Sequence, residues 1–407
     1  MRSGRSWGRL GMKSKLLDIC SLVTDKMSVT ELENENAYIS TENMLPDKGG
    51  ITTPTSVPSD GKITAYKKND VLVSNIRPYF KKIWFASNDG GCSNDVLVFR
   101  AKSGVLPDYL HYILADDAFF DYSMKTSKGT KMPRGDKKAI MEYEVTNMNT
   151  DTQQKVSIVL RLIDHKIALN TAINENLEQQ AQALFKAWFV DFEPFGGVMP
   201  ENWQTKLISQ LDVLVTDYVA NGSFKSLAQN VEYQSEETDN VLIRLTDYNN
   251  NFSSDMVYIT DSAYEFLAKS KLFGDEIIIS NVGVNVGTVF RCPRLNKRMS
   301  LAPNSIMLRS DLLEHYLYLY FTSQYGQQQL QSIVTGSAQP KFNKTNFRSL
   351  SVLLPNSDVL ESFNAIYTPI YNLIATNFTE NQRLATLRDT LLSKLMNGEI
   401  DVSAVKI

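Results

Sequence analysis

The sequence predicts an α+β fold: two similar globular modules separated by two long antiparallel helices in a coiled coil, as a pseudo-two-fold tandem repeat. First, a Gly-x-x-x-Pro-basic loop, GTKMPR, begins at Gly129 and returns as GSAQPK at Gly336, 207 residues later. Second, the buried-strand patterns VLVSN (71–75) and IIISN (277–281) lie 206 residues apart. Third, each half ends in a long run with an apolar stripe, which is typical of an amphipathic helix. Spacings of half the 407-residue chain indicate duplication of a whole half.

The composition fits two or three ordinary globular domains and excludes several broad classes. The chain is 43% hydrophobic and 21% charged with a net charge of −3, so it is not a polycation overall. Basic residues are nevertheless clustered, with six against one acid in 125–138 and five without any acid in 290–309. The three Cys form no C-x-x-C pair, and no apolar run approaches the roughly 20 residues that span a bilayer. We therefore expect a cytoplasmic protein without disulfides or a membrane anchor.

The pattern divides the chain into five segments. Residues 1–11 are basic, and we expect them to be disordered, or a miscalled extension upstream of Met12, rather than an arm that contacts phosphate. The predicted boundaries are 12–149 for the first module, 150–195 for the first long helix, 196–356 for the second module and 357–407 for the second long helix.

Each long helix has its own start signal. Thr150 and Gln153 form a possible capping box for the first helix, which continues without Pro or Gly as far as DFEPFGG. Ser357 is well suited to cap the second. Pro369 removes a hydrogen bond from that second pattern, so we expect a kink or an interruption and a proper helix only after Thr368.

One Asn interrupts the apolar stripe of each helix at the same place. Asn170 and Asn377 occupy heptad a positions and are 207 residues apart, so they could face each other in an antiparallel pair. A lone buried Asn at such a position fixes helix register at a cost in stability. We predict this register role for both residues; the alternative is that each faces solvent where the stripe drifts.

A search for catalytic constellations finds none that is complete. The three histidines form no H-E-x-x-H or H-x-x-H pair, and no G-x-S-x-G is present. GTKMPRGDK has five residues between its glycines and Asp136 where a P-loop needs Lys. SNVGVNVGTV (280–289) lacks the third glycine of a dinucleotide loop, and no Pro-Pro supports an amino-methyltransferase motif. A self-contained nuclease or methyltransferase is therefore disfavoured, and we predict a non-catalytic binding or assembly subunit without a metal site.

Several stretches together resemble the specificity (S) subunit of type I restriction-modification enzymes. NENLEQQAQALFKAWFVDFEPFGG (174–197) resembles the family's central conserved region, and VMPENW (198–203) the start of its second target recognition domain. TLRDTLLSKLMNGEIDV (386–402) resembles its C-terminal conserved segment. The strand motifs and the Gly-x-x-x-Pro loops also resemble recurring motifs of the recognition domains. The resemblance covers the chain from about Met12 onward and is strongest in the helices.

The resemblance implies a specific function. Each module would be a target recognition domain that recognises one half of a bipartite, asymmetric site in double-stranded DNA. The helices would space these domains and dock two modification (methyltransferase) subunits, and restriction (endonuclease and translocase) subunits would complete the complex. S-adenosylmethionine, ATP and Mg would bind those partners, so that this chain has no cofactor. The alternative is a non-catalytic assembly scaffold without direct DNA readout.

Candidate functional residues follow from the basic clusters and from the helix faces. The predicted DNA-binding residues are Arg77, Lys128, Lys131, Arg134, Lys137, Arg291, Arg298, Lys341, Lys344 and Arg348, because clusters at matching positions of both halves can contact phosphates. Each of them alone could instead be solvated surface. The predicted subunit-docking residues are Phe185, Trp188 and Phe189, taken as exposed; the alternative is that they cap the coiled-coil core.

Overall fold

The structure is a computed structural model that describes residues 12–252, 256–402 and 405. The expectation for residues 1–11 lies outside this range. The chain divides into two compact units, one formed by Met1–Ile167 with Arg383–Ile407 and the other by Ala168–Gln382. Two long helices therefore each contribute one end to each unit.

The first unit combines short strands with helices. Its strands are β1 (Met12–Lys15), β2 (Cys20–Leu22), β3 (Lys26–Ser28), β4 (Tyr38–Ile39), β5 (Lys62–Tyr66), β6 (Val71–Ser74), β7 (Ile83–Phe85), β8 (Gly90–Cys92), β9 (Val96–Ala101) and β10 (Glu144–Asn147). Its α-helices are α1 (Leu16–Ile19), α2 (Pro107–Ala115), α3 (Asp117–Lys125), α4 (Lys137–Met141) and the first part of α5 (Thr150–Phe189). Short 3-10 helices lie at Val29–Glu31, Glu35–Ala37 and Pro78–Phe80.

Three sheets organise this unit, and the one in the order β2-β9-β6-β7 lies against its main core. The β-branched and apolar run of β6 is buried at every position and pairs antiparallel with β9 and β7. Helices α2 and α3 cover the sheet with large buried side chains such as Tyr109 and Phe119. The other sheets are β3-β5-β8-β4 and the pair β1-β10. Because β6 is packed into this core, the position of its C-terminal end, where the candidate site begins, is held by the fold.

The second unit has a related set of elements. Its strands are β11 (Gln204–Leu207), β12 (Leu214–Asp217), β13 (Tyr233–Gln234), β14 (Asn240–Ile243), β15 (Val257–Ile259), β16 (Lys271–Leu272), β17 (Ile277–Ser280), β18 (Val289–Arg291), β19 (Arg298–Leu301), β20 (Ser305–Arg309) and β21 (Ser351–Leu354). Its α-helices are α6 (Phe224–Asn230), α7 (Leu245–Asn249), α8 (Asp261–Phe266), α9 (Glu314–Thr322), α10 (Gln324–Ser332), α11 (Lys344–Arg348) and most of α12 (Ser357–Met396). Its 3-10 helices are Glu193–Phe195, Ile208–Gln210, Tyr218–Asn221 and Ala268–Ser270.

The sheet order confirms the tandem repeat. A four-stranded sheet in the order β12-β20-β17-β18 matches β2-β9-β6-β7, with buried β17 in the place of β6. Helices α2, α3 and α4 recur as α9, α10 and α11, and every boundary moves by 207 residues. The five-stranded sheet β13-β15-β14-β19-β16 differs from the four strands β3-β5-β8-β4 of the first unit. The two units therefore share the first sheet and its helices but differ in this second sheet.

Helix α5 starts at the predicted place but uses a different cap. The side chain of Asn149, rather than Thr150, accepts a 2.9 Å hydrogen bond from the backbone N–H of Thr152. The side chain of Gln153 does not bond to the backbone N–H at the helix start, as a capping box requires. Its amide donates instead to the carbonyls of Met148 and Gly104 at 2.7 and 3.2 Å. The proposed capping box is therefore wrong, since Gln153 joins the helix to the first module instead.

Helix α12 is continuous from Ser357 to Met396 and contains Pro369. The expectation of a start after Thr368 is wrong. Proline removes one backbone N–H, but the preceding turns are held by Phe363 and Tyr367, which are buried in the core of the second unit. Tertiary packing therefore outweighs the local tendency of proline to end a helix.

No described helix combines the length and the hydrophobicity that crossing a bilayer requires.

A polar layer joins α5 and α12 within the second unit. Asn170 is 1% exposed, and its amide donates to Glu380 and Asn381 at 2.7 and 2.9 Å. Asn377 is 7% exposed and donates to the side-chain oxygen of Asn174 at 2.8 Å. These contacts run antiparallel, and the 207-residue offset relates one to the other. The two predicted Asn residues are buried rather than solvent-facing, although each bonds to a neighbour of the other; their role in register stays a prediction.

Candidate nucleic-acid interface

In the first unit, the Gly-x-x-x-Pro loop is attached to the end of the buried strand β6. Lys128 and Arg134 exchange both backbone hydrogen bonds, at 2.9 and 3.0 Å. The carbonyl of Pro133 accepts a 2.8 Å hydrogen bond from the backbone N–H of Arg77, and Gly135 donates to the carbonyl of Asn75 at 3.2 Å. We call the segments 75–81 and 128–135 the first loop pair.

The second unit repeats this attachment atom for atom at the end of β17. Thr335 and Lys341 exchange both backbone bonds at 2.8 Å. The backbone N–H of Gly283 donates to the carbonyl of Pro340 at 2.8 Å, and Phe342 donates to the carbonyl of Asn281 at 3.1 Å. Segments 281–287 and 335–342 form the second loop pair. Two loops that are distant in sequence thus become one rigid edge in each module.

Glycine is needed at three positions of these loops for specific backbone reasons. Gly129 and Gly336 have φ values of +92° and +88°, in the left-handed region where a side chain is strained. Gly135 has no room for a Cβ atom, which would lie 2.8 Å from Asn75 Oδ1 and 2.7 Å from Ile140 Cδ1. The loop leads directly into α4 or α11, whose first-turn backbone N–H groups donate to the capping side chains of Asp136 and Asn343.

The predicted basic residues of the first loop are on the surface. Lys128, Lys131, Arg134 and Lys137 are all exposed. Lys128 pairs with Asp136 at 2.5 Å while its side chain stays 81% exposed, and Arg134 pairs with Asp95 at 3.2 Å. Exposed pairs of this kind contribute about 0–1 kcal/mol, so a phosphate can replace the carboxylate at little cost.

Arg77 belongs to the same edge but has a more constrained position. Its φ is 50°, and its backbone N–H is bonded to the loop, as described above. The side chain is half-buried, and its Nε has no hydrogen-bond partner among the described residues. A buried donor without a partner is costly, and the Nε itself is enclosed, so the structure does not show it open to a ligand.

In the second unit the predicted residues are more dispersed. Lys341 and Arg348 are exposed near the second loop pair, whereas Lys344 is half-buried and pairs with Asp217 at 3.1 Å. Arg298 is exposed and hydrogen bonded to Asp261, but it begins β19, a strand of the five-stranded sheet. The loop pair lies instead at the end of β17 in the four-stranded sheet, so the structure does not place Arg298 on the same edge.

Arg291 is not available to DNA, and its prediction as a contact is wrong. Its side chain is 8% exposed, and the guanidinium lies 4.3 and 4.2 Å from the ring centres of Tyr318 and Tyr371. It also hydrogen bonds to His315 at 2.9 Å. Burial raises the pKa of Glu314, its ion-pair partner at 3.4 Å, to about 7. Alternation along β18 turned this side chain inward, which composition alone does not show.

The predicted docking residues are also largely internal. Phe185 and Phe189 are buried in the main core of the second unit, and both rings pack against Tyr316. Trp188 is half-buried between Phe195 and Phe363. The expectation that these side chains are exposed is wrong, because the last turns of α5 pack into the second module. They stabilise the junction of helix and module and leave little surface for a partner.

A signal that the basic clusters did not capture is the absence of acids over long stretches. The chain has 45 Asp and Glu, yet none lies in 277–310 or 315–357, which supply the second loop pair. Likewise 71–88 and 122–135, which supply most of the first loop pair, contain none. Neighbouring Asn, Gln, Ser and Thr are uncharged donors and acceptors. An edge of this composition attracts a polyanion and can bond to base edges.

The absence of a metal site stays a prediction; what the structure gives is the placement of possible ligands in the described ranges. No group of at least three His, Cys, Asp or Glu side chains is arranged there to hold a metal ion. Cys20, Cys92 and Cys292 are free and buried.

These features define a class: a duplicated, two-module protein in which each module carries a loop pair whose own segments contain basic residues and no acid. The family model for the type I restriction modification DNA specificity domain matches residues 11–179 and 201–387, so the chain belongs to this family. It is similar to the HindI specificity subunit of Haemophilus influenzae, with 24% identity over 89% of this chain and 94% of that protein. It is also similar to the MjaIX specificity subunit of Methanocaldococcus jannaschii, with 24% identity over 74% of this chain and 71% of that protein.

A solved structure supports the fold. The S subunit of a type I restriction-modification system from M. genitalium aligns with a TM-score of 0.57 at 13% identity, covering 97% of this chain and 98% of that chain. The predicted family and the predicted architecture of two similar domains with two long helices are both confirmed.

Proposed function

We propose that this specificity subunit binds double-stranded DNA directly and that each module recognises one half of a bipartite, asymmetric site. The observation that carries the proposal is the pair of matching loop edges. Both have the same backbone hydrogen bonds at the ends of β6 and β17, while their side chains differ. Recognition of two different half-sites requires the same backbone arrangement in both modules with different side chains on it.

The electrostatics of these edges favour a nucleic acid over a protein partner. Lys128, Lys131 and Arg134 are exposed on the first edge and Lys341 on the second, and no acid lies within the segment 315–357. Basic side chains contact phosphates and set orientation, while the amides reach base edges. The alternative of a scaffold without DNA readout gives no reason why the segments of both loop pairs contain no acid.

The helices and the partner subunits complete the proposal. Helices α5 and α12, each 40 residues long, would set the distance between the half-sites and dock two methyltransferase subunits. Restriction subunits would join the same complex. S-adenosylmethionine, ATP and Mg would belong to those partners, and this chain would contribute specificity without catalysis.

The salt dependence of DNA binding tests the proposal. With modification subunits present, affinity should fall steeply with salt, because each phosphate contact releases counterions. Lys128→Ala and Lys131→Ala should each lower the slope of log K against log salt by about one unit and weaken binding to all sequences alike. Lys68→Ala is the matched control, since this exposed Lys lies before β6, at the end opposite the loop pair.

Two results would contradict the proposal. Salt-independent binding by the assembled complex would favour the scaffold alternative. An equal effect of Lys68→Ala and Lys128→Ala would show that the loop pair is not the contact surface.

A further inference from the structure

The tip of the second loop pair presents an apolar side chain in a fixed position. Val284 is 92% exposed, more than any other large hydrophobic side chain among the described residues. Its turn is closed by hydrogen bonds from Val286 to the carbonyl of Gly283 at 3.0 Å and from Gly287 to that of Ser280 at 2.8 Å. A single exposed Val on a surface is ordinary. Its neighbours make this one informative.

An amide side chain lies on the other loop of the pair, near this tip in sequence. Val282 and Lys341 form an antiparallel bridge, and Gly283 donates to the carbonyl of Pro340, so Val284 and Gln339 are each the direct chain neighbour of a residue in this contact. Gln339 is exposed, and its side chain makes no hydrogen bond within the described ranges. The two joined loops therefore present one apolar and one amide side chain next to their point of contact.

This pair of side chains has a defined complement on DNA. The major groove admits a two-stranded ribbon, where Gln bonds to N6 and N7 of adenine and an apolar side chain contacts the thymine methyl group. The acid-free segments 277–310 and 315–357 on both sides of the tip are compatible with a close approach to phosphates. We propose that Val284 and Gln339 read an A·T base pair in the half-site of the second module; this deepens the proposed function and rests on it.

The first module gives an internal comparison. Ile76 bridges Arg134 in the same way, so Met132 occupies the sequence position that corresponds to Gln339, and Tyr79 and Phe80 of the first loop pair are also exposed. Met132 has no amide with which to select adenine. The two edges should therefore differ in base preference, and substitutions on one edge should change only one half of the site.

The test uses the assembled complex with its modification subunits. Its bipartite target is first determined by sequencing methylated DNA, and each thymine in both half-sites is then replaced by uracil, which lacks only the methyl group. One T→U change should weaken binding about fourfold, the effect expected for one buried methyl-sized group. Val284→Ala should abolish this T→U penalty, and Gln339→Ala should weaken binding about tenfold or more and relax the choice of adenine.

Controls separate the inference from the proposed function. Val219→Ala removes an exposed Val of the same unit outside the loop pair and should leave every base preference unchanged. Met132→Ala should affect the other half-site only. Melting temperature and subunit assembly confirm folding, and loss of either would be resolved with Val284→Thr, which keeps the shape and should still reduce the methyl preference.

The outcomes are distinguishable. A T→U penalty that Val284→Ala leaves intact, or a half-site without any sensitive thymine, would overturn the assignment while DNA recognition by the modules stands. A wild-type complex that binds DNA without preference at either half-site would overturn the proposed function itself.

Discussion

Burial decides what a single basic side chain does in this protein. Arg134 is exposed and pairs with Asp95 at the surface, so it can exchange that partner for a phosphate. Arg291 has the same chemistry but lies between Tyr318 and Tyr371 with its charge balanced inside the module. Removing a partner from such a buried cation is strongly destabilising, whereas an exposed pair contributes little. Arg291 therefore supports the fold, and Arg134 remains a candidate for DNA contact.

His111 gives a prediction about pH. Its Nδ1 is buried and has no hydrogen-bond partner in the part of the chain that the structure describes, and the ring packs against Phe85 and Tyr112. Burial lowers its pKa from 6.5 to about 4. Between these values the unfolded chain binds a proton that the folded chain does not, so stability falls as the pH drops from 6.5 towards 4, by up to about 1.4 kcal/mol per pH unit.

The substitution His111→Phe should remove this contribution. Urea unfolding of the protein at pH 7, 6 and 5 should show a smaller loss of stability on acidification in the variant than in the wild type. His165→Gln, which replaces an exposed histidine on α5, is the control substitution. Parallel pH profiles for wild type and His111→Phe would refute the assignment to this residue. His315, whose pKa is also lowered to about 4 by burial, should account for part of the slope that remains.

At the level of elements, Pro369 is an exposed residue inside a continuous helix. Pro369→Ala should restore a hydrogen bond to the carbonyl of Ala365 and remove the clash of the ring with that turn. Because no buried contact is lost, we expect the free energy of unfolding to rise by about 1–3 kcal/mol. Denaturant unfolding measures this change, with the exposed helix position Glu361→Ala as the control within about 0.5 kcal/mol. A variant that is no more stable would show that the helix has adapted fully to proline.

Element types were easier to predict than the partners of individual side chains. The long helices and the buried strands β6 and β17 follow from local apolar periodicity, which the chain displays over many residues. Gln153 and Arg291 were misassigned because their partners are distant in sequence: Gly104 for the first and the rings of Tyr318 and Tyr371 for the second. The continuity of α12 through Pro369 depends likewise on tertiary burial.

The candidate site could be predicted in part. The two Gly-x-x-x-Pro loops and their exposed Lys residues are visible in the sequence, because the repeat identifies them. The partner loops that begin at Asn75 and Asn281 are not, since only folding brings them to Pro133 and Pro340. The long acid-free segments could have indicated them, as each loop pair is drawn largely from two such segments.

At the scale of the whole molecule, duplication gives each half of the sequence a module and a long helix. In the folded protein, the C-terminal end of each helix belongs to the unit that contains the other module. Helix α5 contributes to both units, and so does α12. In the first unit Asp164 of α5 pairs with Arg388 of α12 at 3.1 Å, and in the second Asn174 bonds to Asn377. Each contact joins antiparallel parts of the two helices within its own unit, and the buried Asn layer would fix the register of the second unit.

That register leads to a prediction about the spacing of the half-sites. Deleting one heptad from each helix, at facing positions defined by these contacts, removes two helical turns and preserves the apolar faces. Seven residues correspond to about 10 Å at 1.5 Å per residue, or about three base pairs of DNA. We expect the methylated target of the shortened subunit to keep both half-sites with a spacer of different length, which sequencing of methylated DNA measures directly. Deletion from only one helix should break the Asn layer and abolish assembly, whereas an unchanged spacer after the paired deletion would show that α5 and α12 do not set the spacing.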